Sequence, residues 1–201
     1  KLDIIISGPS APQIFYPMLA RLAPLQMILL EPNWMDGTKN LDYYISWKKA
    51  EPKNPNNLYK SKVAFLEHPP YWIERPLTFD QVYSRLELNQ FRRRLLNIKT
   101  QQRIYLCANT PPKIHPKMDD AFKAILDKDK LAVLVFLRSD YVAVDIIKNR
   151  LSLKLGSNYK RVKFLPTLSQ KDAHFLVQAA DCCLDSFPIC GMSSSFDASI
   201  L

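Results

Sequence analysis

Apolar and polar positions along this chain fall into two alternating patterns. Short apolar runs of strand length recur near its start: "LDIIIS" (2–7), "LQMILLE" (25–31), "LDYYIS" (41–46) and "KVAFLE" (62–67). Loops rich in Pro, Asn and Gly separate them, and a helical "APQIFYPMLARLA", interrupted by Pro17, follows the first. After Pro76 the stretch "TFDQVYSRLELNQFRRRLLNIKTQQR" is charged, and its pattern predicts a helix joining two units. A second series then begins with strands "RIYLCAN" (103–109), "LAVLVFLRS" (131–139), "VKFLP" (162–166) and "CCLDSFP" (182–188).

Helices are predicted between these strands. Met118, Ala121, Phe122 and Ile125 recur at helical spacing, and Pro116 suits a first turn, which puts the start of that helix near His115. "YVAVDIIKNRLSLKL" reads as a helix ending at Gly156. "SQKDAHFLVQAAD" reads as another, with Ser169 as its N-cap and Asp172 three residues on. Continuously apolar strands alternating with helices imply a parallel sheet covered on both faces. The expected fold class is therefore α/β.

Composition narrows this picture only slightly. The 47% apolar and 23% charged content is that of a soluble globular chain. No run approaches the roughly 18 apolar residues of a membrane span. The start lacks an initiator Met and a signal-peptide pattern, and the chain stops soon after a helix begins, so a segment of a longer protein is expected. Cys107, Cys182, Cys183 and Cys190 form no CxxC pair, and Cys107 and Cys183 lie in apolar runs. Buried, reduced thiols in a cytoplasmic protein follow. His68, His115 and His174 are not spaced as a ligand set, so no metal is expected. The net charge of +9 favours anionic partners such as phosphates and nucleotides. The aromatic residues are scattered rather than interleaved with the cations of "FRRRLLNIK", which argues against nucleic acid.

Two loops of the second series fall where ligands bind in open parallel sheets, beyond the carboxyl ends of the strands. In "ANTPPKIHPKMDD" (108–120), Lys113 precedes a helix start, and a lysine with free N–H groups suits a diphosphate. In "FPICGMSSSFDASIL" (187–201), Gly191 is read as permitting a sharp turn. Ser193, Ser194 and Ser195 then offer hydroxyl and amide donors to phosphate, and Asp197 can accept hydrogen bonds from a ribose diol. One serine would be enough for an N-cap; three exceed that need.

At these residues the chain resembles the O-linked N-acetylglucosaminyltransferase and SPINDLY-like glycosyltransferases of family 41. The resemblance runs through "RLAPLQ" (21–26), "NLDYYIS" (40–46), "LYKSKVAFLEH" (58–68), "YLCANTPPKIHPKMDDAF" (105–122), "VKFLPTLSQKD" (162–172) and "AADCCLDSFPICGMSSSFDA" (179–198). It implies a GT-B fold of two Rossmann-like halves, both incomplete. Residues 1–77 would end the first half, 78–101 would link, and 102–201 would begin the nucleotide-sugar-binding half.

The resemblance further implies an enzyme that moves a sugar, N-acetylglucosamine, from UDP-GlcNAc to Ser or Thr of acceptor proteins. Transfer would be inverting and metal-independent, with no tightly bound cofactor. Lys113 would contact the donor diphosphate and stabilise the leaving group. Asn109, Gly191 and Ser193 to Ser195 would line the phosphate end, Asp197 the ribose, and Leu168 and Gln170 the nucleobase. The catalytic base is not assigned. Such enzymes commonly carry tetratricopeptide repeats ahead of this region, and none is present here.

The departures are equally specific. "LEPNWMDGTK" (30–39) retains only Gly37 of the family's usual sugar-side turn. Ala173 stands where animal members have a His, and His174 beside it is expected to face differently on the helix. A module with a decayed sugar pocket, acting as a partner-binding protein, is the alternative these departures raise.

Overall fold

The computed structural model describes residues 2–8, 16–29, 38–69, 83–140, 142, 144–191 and 193–201. The altered 30–39 turn, apart from its last two residues, and the start of the helix around Pro17 lie outside them. The chain divides into two compact units, Lys1–Glu74 and Arg75–Leu201.

The first unit is a parallel four-stranded sheet, β1 (Ile4–Ser7), β2 (Leu25–Leu29), β3 (Tyr43–Trp47) and β4 (Lys62–Leu66), in that spatial order. Register pairs Ile4 with Leu25, Met27 with Tyr43 and Tyr43 with Lys62. Met18, Ile28, Leu41 and Tyr44 form its core, with Ile5, Tyr59 and Val63 against them. Burial alternates along β2 and β3, and Ile4, Ile6 and Phe65 are exposed.

The buried polar Gln26 is fully used. Its Oε1 accepts from Leu22 N at 2.8 Å and Ala23 N at 3.4 Å, while Nε2 donates to Ala20 O at 3.0 Å and Asn40 O at 2.8 Å. A buried amide with all its groups paired fixes the entry to β2 rather than weakening it. Asp42, the residue after Leu41, accepts from Arg21 at 2.5 Å and from Gln26 N at 2.8 Å. The Arg21 guanidinium and the Gln26 N–H hold its carboxyl below its ordinary range.

The second unit is also built on a parallel four-stranded sheet. Its strands are β5 (Arg103–Cys107), β6 (Ala132–Phe136), β7 (Val162–Phe164) and β8 (Cys182–Cys183), ordered β7-β6-β5-β8. Its helices are α1 (Arg85–Leu96), α2 (Met118–Lys128), α3 (Val144–Leu155), α4 (Gln170–Ala179) and α5 (Ser193–Ile200).

Strand alternation sorts the core into two layers. Ala132, Leu134 and Phe136 of β6 pack with Phe122, Leu126, Ile147 and Leu151 of α2 and α3. Val133 and Val135, between them, pack with Ile104, Leu106, Phe91, Leu96 and Leu176 on the other face, under α1 and α4. Every residue of β6 is thus buried, which is why that run is apolar without alternation.

The Ser169 and Gly156 signals behave as the sequence predicts, and the structure adds a cap at Ser84. Ser84 and Glu87 form a reciprocal capping box at α1, and the Ser169 hydroxyl accepts from Asp172 N at 3.1 Å at the start of α4. Gly156 ends α3 at φ +53°, the left-handed conformation a C-cap requires. Within the stretch expected to link the two units, α1 packs on α4 and buries Phe91 and Leu96 in the second core.

Three expectations need correction. The helix expected near His115 begins at Met118, after a 3₁₀ turn over Pro111–Lys113 and a further turn at Pro116 and Lys117. Pro116 keeps the preceding His115 out of helical conformation. The last strand is only Cys182–Cys183; Leu184 N still donates to Leu106 O at 2.7 Å, and from Asp185 the chain builds the site below. Cys107 is buried, but Cys182, Cys183 and Cys190 are exposed.

Candidate functional site

The carboxyl ends of β5 and β8 meet at a polar knot whose centre is Asn109, only 4% exposed. Its Nδ2 donates to Asp185 Oδ1 at 3.0 Å and to Ser186 Oγ at 2.6 Å; its Oδ1 accepts from Ser194 Oγ at 2.6 Å. Asp185 Oδ1 also accepts from Ser186 N and Gly191 N, each at 2.8 Å. Burial pushes the Asp185 carboxyl up, but its hydrogen bonds from Asn109, Gly191, Ser195 and Ser186 outweigh that and hold it below its ordinary value. The Ser186 hydroxyl in turn donates to Ile189 O at 2.7 Å, closing the 185–191 loop on itself.

Gly191 is required here for a reason other than the expected turn. Its φ is not in the left-handed region. A β-carbon at this position would stand 2.3 Å from Asn109 Oδ1, 2.3 Å from Ser194 Oγ and 2.7 Å from Ser195 Oγ. The glycine is there so that the loop can press against the knot.

Lys113 reaches the same loop from the other side, its Nζ donating to Cys190 O at 2.8 Å. The turn that carries it is anchored by α3. Arg150 Nη2 donates to Ile114 O at 2.9 Å, and the same guanidinium grips Asp119 through Nε at 2.7 Å and Nη2 at 3.1 Å. With Asp119 almost fully buried, this fork ties the start of α2 and the Lys113 turn to one point.

Beside the knot lies a hollow of about 170 Å³. Ala108, Leu137 and Arg138 supply its strand side, Leu168, Ala173 and His174 its α4 side, and Ser194 and Asp197 its α5 side. Arg138 adopts φ +61°, unusual for a non-glycine residue, directly after β6 and Leu137. Asp140 accepts from Thr167 N at 3.1 Å and from the Thr167 hydroxyl at 2.9 Å, pinning the loop that leads to Leu168. A larger hollow of about 560 Å³ runs along β8; it borders Asn109 and Asp185 but contains neither Lys113 nor Asp197.

The structure therefore gathers Asn109, Lys113, Gly191, Ser194 and Ser195 around one loop, and Leu168, Ser194 and Asp197 around the adjoining hollow. Ser194 and Ser195 are turned inward, onto Asn109 and Asp185 respectively, whereas Ser193 is exposed at the start of α5. Gln170, the first residue of α4, is exposed and does not line the hollow. Asp185, Ser186, Arg138 and Arg150 belong to this site or its support; Asp185 and Ser186 lie in the 179–198 stretch that carries the resemblance but are given no role by it, and Arg138 and Arg150 lie in no motif. His174, expected to face differently from Ala173, borders the hollow together with it. Among the described residues, no three His, Cys, Asp or Glu side chains gather as a metal-ligand set, and no helix is long and apolar enough to cross a membrane.

Two parallel sheets flanked by helices, with a loop-built site at the carboxyl edge of the second, define an α/β chain of GT-B-like fold. Among solved structures, the chain is similar to a mutant O-GlcNAc transferase from Thermobaculum terrenum, with a TM-score of 0.64 and 20% identity. The match covers 89% of this chain and 32% of that one, so the chain spans about a third of that protein's length. Neither a family model nor a curated protein sequence matches the chain.

Proposed function

We propose that this chain carries the donor-binding site of a nucleotide-sugar-dependent protein O-glycosyltransferase, with UDP-GlcNAc as the donor and Ser or Thr of proteins as the acceptor. The observation that carries this reading is the juxtaposition of Lys113 with the glycine-tight 185–191 loop and the start of α5, next to a hollow that ends on Asp197. The likeness in fold to an O-GlcNAc transferase supports it.

Each part has a chemical task. Lys113 and the amide groups at the start of α5 meet the diphosphate, Asp197 the ribose, and the Leu168 side of the hollow the base. In an inverting transfer, the acceptor oxygen bonds to the anomeric carbon as the bond from that carbon to the phosphate oxygen breaks. The hydroxyl proton passes to a base that no residue here is assigned to supply. Negative charge grows on the departing diphosphate, and Lys113 is placed to offset it. Removing such a preorganised donor costs roughly 2–4 kcal/mol of transition-state stabilisation.

The reading is tested by incubating the protein with labelled UDP-GlcNAc and a serine-rich acceptor protein. Label retained on the acceptor, and lost with Lys113→Ala, supports it. Tight nucleotide binding without transfer would favour a partner-binding module that has kept its donor site.

A further inference from the structure

We propose that a polar hollow at the amino edge of the second sheet binds a phosphate monoester, at a site separate from the donor loop. The hollow, of about 330 Å³, is walled by α1 on one side and by the amino ends of β5 and β8 on the other. Arg85, Asn89 and Arg92 reach it from α1 at spacings of four and three residues, which is one face of a helix. Arg103 opens β5, and Asp181 immediately precedes β8. The donor loop stands at the other, carboxyl, ends of the same two strands, and Lys113, Gly191 and Asp197 take no part in this lining.

The charges of the hollow do not balance. Three arginines line it against one carboxylate, that of Asp181. Arg103 is matched from outside by Asp129, to which its Nε and Nη2 donate at 2.6 Å. Arg92 is less well served. Its side chain is only 12% exposed, and Nη2 alone makes its bonds, to Gln102 O at 2.8 Å and to Asp181. Its Nε is buried and meets no acceptor among the described residues. Asp181 is itself divided, because the same Oδ2 also accepts from Ile104 N at 2.7 Å. Arg85 is exposed and makes no hydrogen bond or ion pair among the described residues. A nearly buried guanidinium short of acceptors is costly, and an anion in the hollow offsets that cost.

The donors present select the anion. A carboxylate has two oxygens, which one guanidinium fork can satisfy. A phosphate monoester has three terminal oxygens and a charge of about −1.5 to −2 near neutral pH. Arg85 and Arg92 approach from α1, and the amides of Asn89 and Gln101 add N–H donors from the helix and the loop before β5. The volume admits a phosphate with a small organic group rather than a polymer. The basic run 92–94 is also no continuous stripe. Arg93 donates to the Thr100 hydroxyl at 2.8 Å, Arg94 lies over the Phe91 ring at 5.7 Å, and of the three only Arg92 lines the hollow.

The test is calorimetric titration of the whole chain carrying Lys113→Ala, so that the donor loop does not compete. The probes are inorganic phosphate, glucose 6-phosphate and a phosphoserine peptide. The first reads the shared chemistry, and the other two distinguish a free small molecule from a modified side chain. One saturable site per chain is expected. Arg85→Ala, which removes no bond within the protein, should weaken binding roughly 10-fold, and Arg85→Glu should abolish it. Arg92→Lys keeps the charge but not the fork and should weaken binding as well. Arg94→Glu makes the same change of net charge outside the hollow and should leave affinity within about twofold. The absence of saturable binding by the folded Lys113→Ala chain overturns the proposal. So does an Arg85→Glu variant that binds as tightly as its parent. Equal losses in Arg85→Glu and Arg94→Glu overturn it too, since they show a diffuse field in place of a site. None of these results decides the donor-site reading, which has its own titration with UDP.

Discussion

Asn109 and Gly191 approach so closely that a β-carbon added at position 191 would lie 2.3 Å from the Asn109 Oδ1, so a larger residue there must displace it. The contact joins residues from two strand ends that are far apart in the chain, and it draws Ser194 and Asp185 into the same network.

Gly191→Ala is therefore expected to force Asn109 off its partners and open the loop. Overpacking a closed site of this kind costs about 1–3 kcal/mol. Urea unfolding should show that loss, and nucleotide binding should fall with it. An alanine variant as stable as the wild type would show that the loop yields freely.

Asp185 makes the knot sensitive to acid. Its carboxyl is held below the ordinary value of 3.8, so the ionised form is favoured in the folded state. The resulting stabilisation is present above that value and is lost as pH falls through the lower, folded-state value. The stability difference between wild type and Asp185→Asn should thus shrink as pH is lowered below 3.8. A difference that stays constant across that range would mean that Asp185 ionisation contributes nothing.

Much of this was legible in the sequence, and the missing parts have a common cause. Strand runs, the Ser169 cap and the Gly156 stop all depend on neighbours within a few residues. The alternation along β6 is hidden because both of its faces are buried, so composition reveals the strand but not which residue faces which helix. Lys113 and the serine cluster could be found from their position after strands. Asp185 and Ser186 lie in the stretch that carries the resemblance, but their role could not be read there, since only the fold brings Asn109 to them. Gly191 was found for the wrong reason, because close approach and a turn leave the same mark on a sequence.

Arg150 should prove important although it touches no proposed ligand. It satisfies both Asp119, almost fully buried, and the carbonyl of Ile114 beside Lys113. Arg150→Ala leaves a buried carboxylate alone, which costs about 3–5 kcal/mol. A thermal melt should show the loss, and calorimetry on the surviving folded fraction should show weaker nucleotide binding. Arg150→Lys should recover little, because a lysine cannot form the fork.

The thiols should react in a graded order. Burial pushes the Cys107 thiol up to about 12, so it should resist alkylation at pH 8 in the native protein. Cys182 and Cys190, both exposed, should label first; Cys183 is exposed as a residue, but burial raises its thiol, so it should follow. Mass spectrometry of native and denatured samples distinguishes these sites. Rapid native labelling of Cys107 would show that the β5 core opens.

The central claim is that Lys113 and its loop bind the diphosphate of a nucleotide sugar. Calorimetric titration with UDP, on the wild type and on Lys113→Ala, tests it most directly. The account predicts saturable binding by the wild type and a loss of about 1.5–3 kcal/mol, the value of a hydrogen bond to a charged group, in the alanine variant. A folded wild type that fails to bind UDP, or binding that Lys113→Ala leaves unchanged, would contradict it.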